Sequence, residues 1–123
     1  MFINFSNHPS TKWNNTQCAA AMELGNNRIV DIPFPVIDPH MSTQQITELA
    51  NIYIDLIMTH NPTSVLCQGE MVFSFMIINQ LIKQAIPVYA ACSDRITQDH
   101  IDSKGHTVKT SLFEFVQFRN YVL

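Results

Sequence analysis

The chain has 123 residues, 46% of them hydrophobic and only 14% charged, with a formal net charge of -3. That length predicts one domain over residues 1–123, large enough to bury a core without staples. Seven Lys and Arg against ten Asp and Glu leave no basic stripe, which excludes a binder of duplex nucleic acid, while the scarcity of charge leaves surface for self-association.

Phe2-Ile3-Asn4-Phe5 predicts a short strand that ends in the turn cluster Ser6 to Ser10. A helix follows from about Thr11 to Leu24, with Trp13, Gln17, Ala20, Ala21 and Leu24 on one stripe and Gly25 placed as a left-handed C-terminal cap. Arg28 to Ile32 is a second strand, and Pro33, Pro35 and Pro39 keep the next segment extended. Ser42 and Gln45 make a capping box for a helix whose Ile46, Leu49, Ala50, Tyr53 and Ile57 share a face. It stops near His60-Asn61-Pro62, and Ser64 to Cys67 reads as a third strand.

Gln68-Gly69-Glu70 then opens a helix from about Glu70 to Gln84 that is apolar on nearly every side. One side covers a sheet, and the residues around Phe73, Phe75, Met76 and Ile77 are the expected dimer contact. Val88 to Cys92 is a short fourth strand bounded by the polar Ser93-Asp94-Arg95. Beyond it the period falls to two, so Arg95 to Ile101 and His106 to Phe118 read as a hairpin around Asp102 to Gly105. Phe113 and Phe115 point one way and Val116 and Phe118 the other, a change of phase that a bulge or burial on both faces would explain.

Strands alternating with helices predict an α/β protein, a doubly wound parallel sheet of Rossmann-like type with a C-terminal β-hairpin. With the strand order 2-1-3-4, the order reverses between the first and third strands, and ligands bind outside the carboxyl ends there. Ser6 to Ser10, Gln68-Gly69-Glu70 and Ser93-Asp94-Arg95 then form one rim. Asn and Gln amides suit adenine edges, the helix start at Gly69-Glu70 offers free N–H groups to a phosphate, and Arg95 can hold a phosphate with two bonds. Each residue also has a plainer role. Asn7 to Ser10 is equally a capped turn, Glu70 a first-turn carboxylate, and Arg95 a partner for Asp94 or Asp99. Trp13 is core, interface or base-stacking platform; Lys109 and Arg119 are solvated, paired or ligand-facing.

Standard cofactor chemistry lacks its motifs. Three glycines permit neither a dinucleotide fingerprint nor a phosphate-binding P-loop, and the five histidines show no metal-ligand spacing. No cofactor and no metal is expected. The odd set of Cys18, Cys67 and Cys92, together with an N-terminus lacking a basic region, predicts reduced thiols in the cytoplasm. Met71 to Ile82 is too short and too interrupted to span a membrane.

The chain resembles the small stand-alone, CRISPR-associated (Csx-type) relatives of the CARF sensor domains of type III systems. The segments that carry the resemblance are Ile3 to Ser10 with Trp13 and Gln17, then Ile29 to Pro35, Gln68-Gly69-Glu70, Ala91 to Arg95, and Val108 to Val116 with Phe118, Arg119 and Tyr121. It departs at Cys92, where threonine is common, and at Asp94, where glutamate is common. The resemblance implies a CARF-like homodimer that binds cyclic tetra-adenylate and sequesters it without cutting. The ligand-binding set is then Ser6, Asn7, His8, Ser10, Trp13, Gln68, Gly69, Glu70, Ser93, Arg95 and Lys109. A ring nuclease is the alternative, with His8 or Glu70 moving protons and Arg95 holding the phosphate. An interaction module without a nucleotide ligand is the third.

Overall fold

A computed structural model describes residues 1–123. Five strands, β1 (Phe2–Ser6), β2 (Ile29–Asp31), β3 (Ser64–Gln68), β4 (Val88–Ile101) and β5 (Thr107–Asn120), form one sheet in the order β2-β1-β3-β4-β5. The first four are mutually parallel, as the alternating pattern predicts, and β5 runs antiparallel to β4. Three helices, α1 (Asn15–Leu24), α2 (Thr43–Thr59) and α3 (Met71–Lys83), supply the crossovers. None is long and apolar enough to cross a membrane.

Strand alternation sorts the core into two layers. Ile3, Phe5, Val65 and Cys67 pack with Val88 against α2 and α3, where Ile46, Ala50, Ile54, Ile57, Phe73, Ile77 and Leu81 are buried. The opposite face sends Phe2 and Leu66 towards Ala21 of α1, with Trp13 and Phe118 closing the cluster. Phe73 and Ile77 are fully buried in the first layer, so they are core and not dimer contact. The side of α3 left over is Met71, Val72 and Phe75, which are 84%, 45% and 66% exposed.

Local signals explain most element boundaries. The Ser42 hydroxyl accepts the Gln45 N–H while the Gln45 amide accepts the Ser42 N–H, the reciprocal box expected there. The expected helix from Thr11 is divided: Ser10–Lys12 form a single 3-10 turn, and α1 starts only after Asn14, whose side chain accepts the Gln17 N–H. Gly25 does not adopt the expected left-handed conformation; its φ is -116°, and Asn26 and Asn27 take the positive angles instead, 51° and 62°. Glycine is required at 25 for space, because a Cβ would overlap the backbone of Phe2 where β1 begins.

The largest departure from expectation is β4. Its 14 residues continue without interruption through Ser93-Asp94-Arg95, which are strand and not a bounding turn. Only Val65 and Leu66 of β3 pair with it, at Val88 and Tyr89, so most of β4 and β5 extends past the sheet as a two-stranded ribbon. Residues 102–106 join the two strands, with Asp102 N–H donating to the His106 carbonyl. The register shifts once: Cys92 pairs with Gln117 and Ser93 with Phe115, leaving Val116 as the extra residue. This bulge resolves the change of phase. Phe118 returns to the side of Phe115, their ring centroids 4.8 Å apart.

Candidate functional site

The site begins with a buried amide in the middle of β1. Asn4 is 1% exposed, and in register it lies beside Asp31 of β2. Its Nδ2 donates to the His8 carbonyl at 2.8 Å and to Asp31 Oδ1 at 3.1 Å, while its Oδ1 accepts the Ser6 hydroxyl at 2.7 Å. Asp31 Oδ2 accepts the Ser10 N–H at 2.9 Å. The two buried side chains, Asn4 and Ser6, are thereby satisfied, with the exposed Asp31 carboxylate and the backbone of the turn as partners. They also fold the segment Ser6 to Ser10 into a fixed turn at the carboxyl end of β1. Ser6 joins this frame through its hydroxyl and Ser10 through its backbone N–H.

Beside that turn lies an open cavity of about 550 Å³, lined by His8, Lys12, Trp13, Asn14, Gln17, Gln68, Ala91, Ser93, Phe113 and Phe115. It stands at the carboxyl ends of β1 and β3, the switch point that strand order alone indicates. Four of the expected ligand residues, His8, Trp13, Gln68 and Ser93, meet there. Gln68 crosses the gap where β4 leaves β3: its Oε1 accepts the Ala91 N–H at 2.8 Å. Trp13 is half-buried, with Phe2 and Phe118 at 6.3 and 6.1 Å between ring centroids, so it is core on one side and cavity wall on the other. No carboxylate lines the cavity and Lys12 does, an arrangement that favours an anion.

Lys12, Asn14, Gln17 and the aromatic pair Phe113 and Phe115, which the rim loops alone do not indicate, complete the lining. Arg95 stands two residues beyond Ser93 on the same face of β4, and Lys109 shares the face of Phe113 on β5. Both lie outside the cavity lining. Arg95 is paired neither with Asp94 nor with Asp99; its Nε and Nη2 donate to Ser111 Oγ at 3.3 and 3.2 Å.

Two expectations fail at the start of α3. Glu70 is the N-cap itself, accepting the N–H groups of Val72 and Phe73 at 3.0 and 2.8 Å. The amides expected to receive a phosphate are already satisfied by this carboxylate, and the carboxylate is not directed at the cavity as a proton carrier. Gly69 serves packing: a Cβ there would overlap the ring of Phe34, which stacks on Phe5 at 4.8 Å between centroids. Asn7 lies on the far side of the turn, in a smaller cavity of about 290 Å³ with Asp31 and Phe34.

The opposite face of the sheet has a different character. Between α3 and the C-terminal Tyr121-Val122-Leu123 runs a groove of about 390 Å³ that also touches Cys67, Gln68 and Ser74. Burial pushes the Cys67 thiol up to about 12, and the Ser74 hydroxyl offsets only part of that shift. Burial also raises Tyr121, reinforced by Cys67 and Cys92. The Ser74 oxygen satisfies no hydrogen-bond geometry with any group of the chain. Cys18, Cys67 and Cys92 are all free thiols, and no three His, Cys, Asp or Glu side chains gather in a metal-binding group.

Residues 1–119 match the family described as "Uncharacterized protein MJ1673 family", and the chain belongs to it. No curated protein matches the chain at significant similarity.

Proposed function

We propose that this member of the MJ1673 family binds cyclic tetra-adenylate as a homodimer and sequesters it, damping type III CRISPR antiviral signalling in the cytoplasm. The observation that carries this reading is the meeting of His8, Trp13, Gln68 and Ser93 in one carboxylate-free cavity at the switch point. An indole face and two aromatic rings suit stacked bases, Gln and Asn amides suit adenine edges, and Lys12 suits a phosphate. The resemblance to stand-alone CARF-like proteins supplies the identity of the ring. Two copies related by a two-fold axis suit a ring that has its own two-fold symmetry.

Sequestration is favoured over cleavage by what the charged groups already do. The Glu70 carboxylate caps α3, and the Arg95 guanidinium is engaged by Ser111, which leaves His8 as the proton carrier at the cavity. Lys12 beside His8 is the specific feature that keeps ring cleavage as a second reading. In that reaction a ribose 2′-oxygen attacks the adjacent phosphorus and the bond to the 5′-oxygen breaks. The products are a 2′,3′-cyclic phosphate and a 5′-hydroxyl, with one proton removed from the nucleophile and one delivered to the leaving oxygen.

The test is incubation of excess protein with labelled cyclic tetra-adenylate, followed by denaturation and separation of the ligand. Tight retention with intact rings is the expected outcome. Linear di- or tetra-adenylate would transfer the assignment to a ring nuclease, and no retention would overturn both.

A further inference from the structure

The two edges of the sheet are very unequal. β2 has three residues, and the chain after it turns its Ile32 N–H onto the Asn4 carbonyl before reaching Pro33, which has no N–H. β5 has 14 residues and is paired on one side only. The hydrogen bond from Asp102 N–H to the His106 carbonyl fixes the phase of the ladder. Alternation then turns the amides of Val108, Thr110, Leu112 and Glu114 towards β4, and those of Lys109, Ser111 and Phe113 outward.

From Thr107 to Phe115 this outer edge has no proline, glycine or bulge; the bulge at Val116 ends the regular run. Nothing in the chain covers it, and Leu112 and Phe113 are 55% and 73% exposed. Edges of this kind are templates for another strand, and a two-stranded ribbon without further support is at best marginally stable in water.

We propose that a second copy of the chain adds its own β5 to this edge, antiparallel through Thr107–Phe115, joining the two sheets into one across a two-fold axis. The inference rests on the two-copy reading of the proposed function but not on its ligand. Each chain has one usable edge, so pairing closes at two copies and does not propagate into a fibre. A dyad relating antiparallel neighbours stands perpendicular to the sheet, so both cavities open on the same face. The exposed Phe113 side chains, with Arg95 and Lys109 of each copy, then lie between the cavities. The site of one chain is completed by the ribbon of the other.

Light scattering on the full chain without nucleotide is expected to give twice the chain mass. Ser111→Pro removes one outward N–H and leaves the amides that face β4, so it should yield monomers with unchanged far-ultraviolet circular dichroism. Ser111→Ala loses the same hydroxyl but keeps the N–H, and should remain dimeric. Should the proline variant fail to fold, hydrogen exchange on the unmodified protein decides. The Lys109, Ser111 and Phe113 amides should exchange at least about tenfold more slowly in the dimer than after dilution to monomer. A monomer at every concentration, or a dimer in which those amides stay unprotected, overturns the inference. A β5-linked dimer that ignores cyclic tetra-adenylate overturns the ligand and leaves the pairing standing.

Discussion

The two large cavities lie on opposite faces of the same strand ends, and Gln68 borders both, yet they are built on opposite rules. On the α1 side the buried polar groups have partners: Asn4 and Ser6 bond to each other, to the exposed Asp31 carboxylate and to the turn after β1. On the α3 side, apolar side chains and the C-terminal residues make the walls, and the one buried hydroxyl, Ser74, has no partner. The difference shows where the fold invests in geometry. A turn clamped by the buried Asn4 and Ser6 fixes the His8 backbone, whereas an apolar groove with an orphaned hydroxyl specifies little.

Substitutions should separate the two sides, starting with the greatest effect. Asn4→Leu strips a partner from the His8 carbonyl, the Ser6 hydroxyl and Asp31 at once. It should destabilise the protein by about 3 kcal/mol, a fall of roughly 10 °C in Tm, and weaken ligand binding with it. A calorimetric Tm within a degree or two of the parent would mean that the network is incidental.

Alkaline titration probes the other side. Folding raises the Cys67 thiol to about 12, so its contribution is complete below the unfolded value near 9. Stability should then decline as pH rises from 9 towards 12, by at most about 1.4 kcal/mol per unit. Urea unfolding followed across that range checks the slope, and at neutral pH Cys67 should resist alkylation while the protein is folded. Removing Cys67 (Cys67→Ala) should make the decline shallower, leaving the part that Tyr121 contributes.

The next effect belongs to the ribbon. Arg95 lies outside the cavity of a single chain but between the two cavities of the β5-paired dimer. Arg95→Ala should therefore weaken cyclic tetra-adenylate binding at least about tenfold, with the melting temperature nearly unchanged. Equal affinity in a titration would remove Arg95 from the site. The smallest effect is expected at Ser74→Ala, which removes a buried hydroxyl whose one influence is a weak contact with the Cys67 thiol. Stability should hold or rise by up to about 1 kcal/mol, measured as the urea midpoint, and a clear loss would reveal a partner for that oxygen.

Much of the fold was legible because local chemistry and tertiary structure agree. The box at Ser42 and Gln45, the turn at Asp102 to Gly105 and the alternation of strands and helices each lead to the observed element, and the strand order locates the rim. The failures share a cause. Ser93, Asp94 and Arg95 resemble a turn because they are polar, but polarity there reflects a ribbon wet on both faces. The usable signal was the lack of any Gly or Pro from Val88 to Ile101. For Glu70 the sequence leaves two readings open, a helix-start carboxylate and a proton carrier, and only the bonds to Val72 and Phe73 N–H decide for the cap. Asn4, the centre of the site's frame, lay hidden inside an apolar strand. Nothing marks it until the register sets it beside Asp31.

The single supernumerary residue at Val116 also makes the chain sensitive to length. Phe113 and Phe115 reach the cavity and Phe118 reaches Trp13 from the same side only because one residue is skipped between them. Deleting it, though it touches no cavity, would force a choice between the cavity wall and the hydrophobic anchor. An inserted partner elsewhere in the strand could not restore both. In a chain one residue shorter here, counting back from Phe118 would misassign which aromatic residues face the cavity.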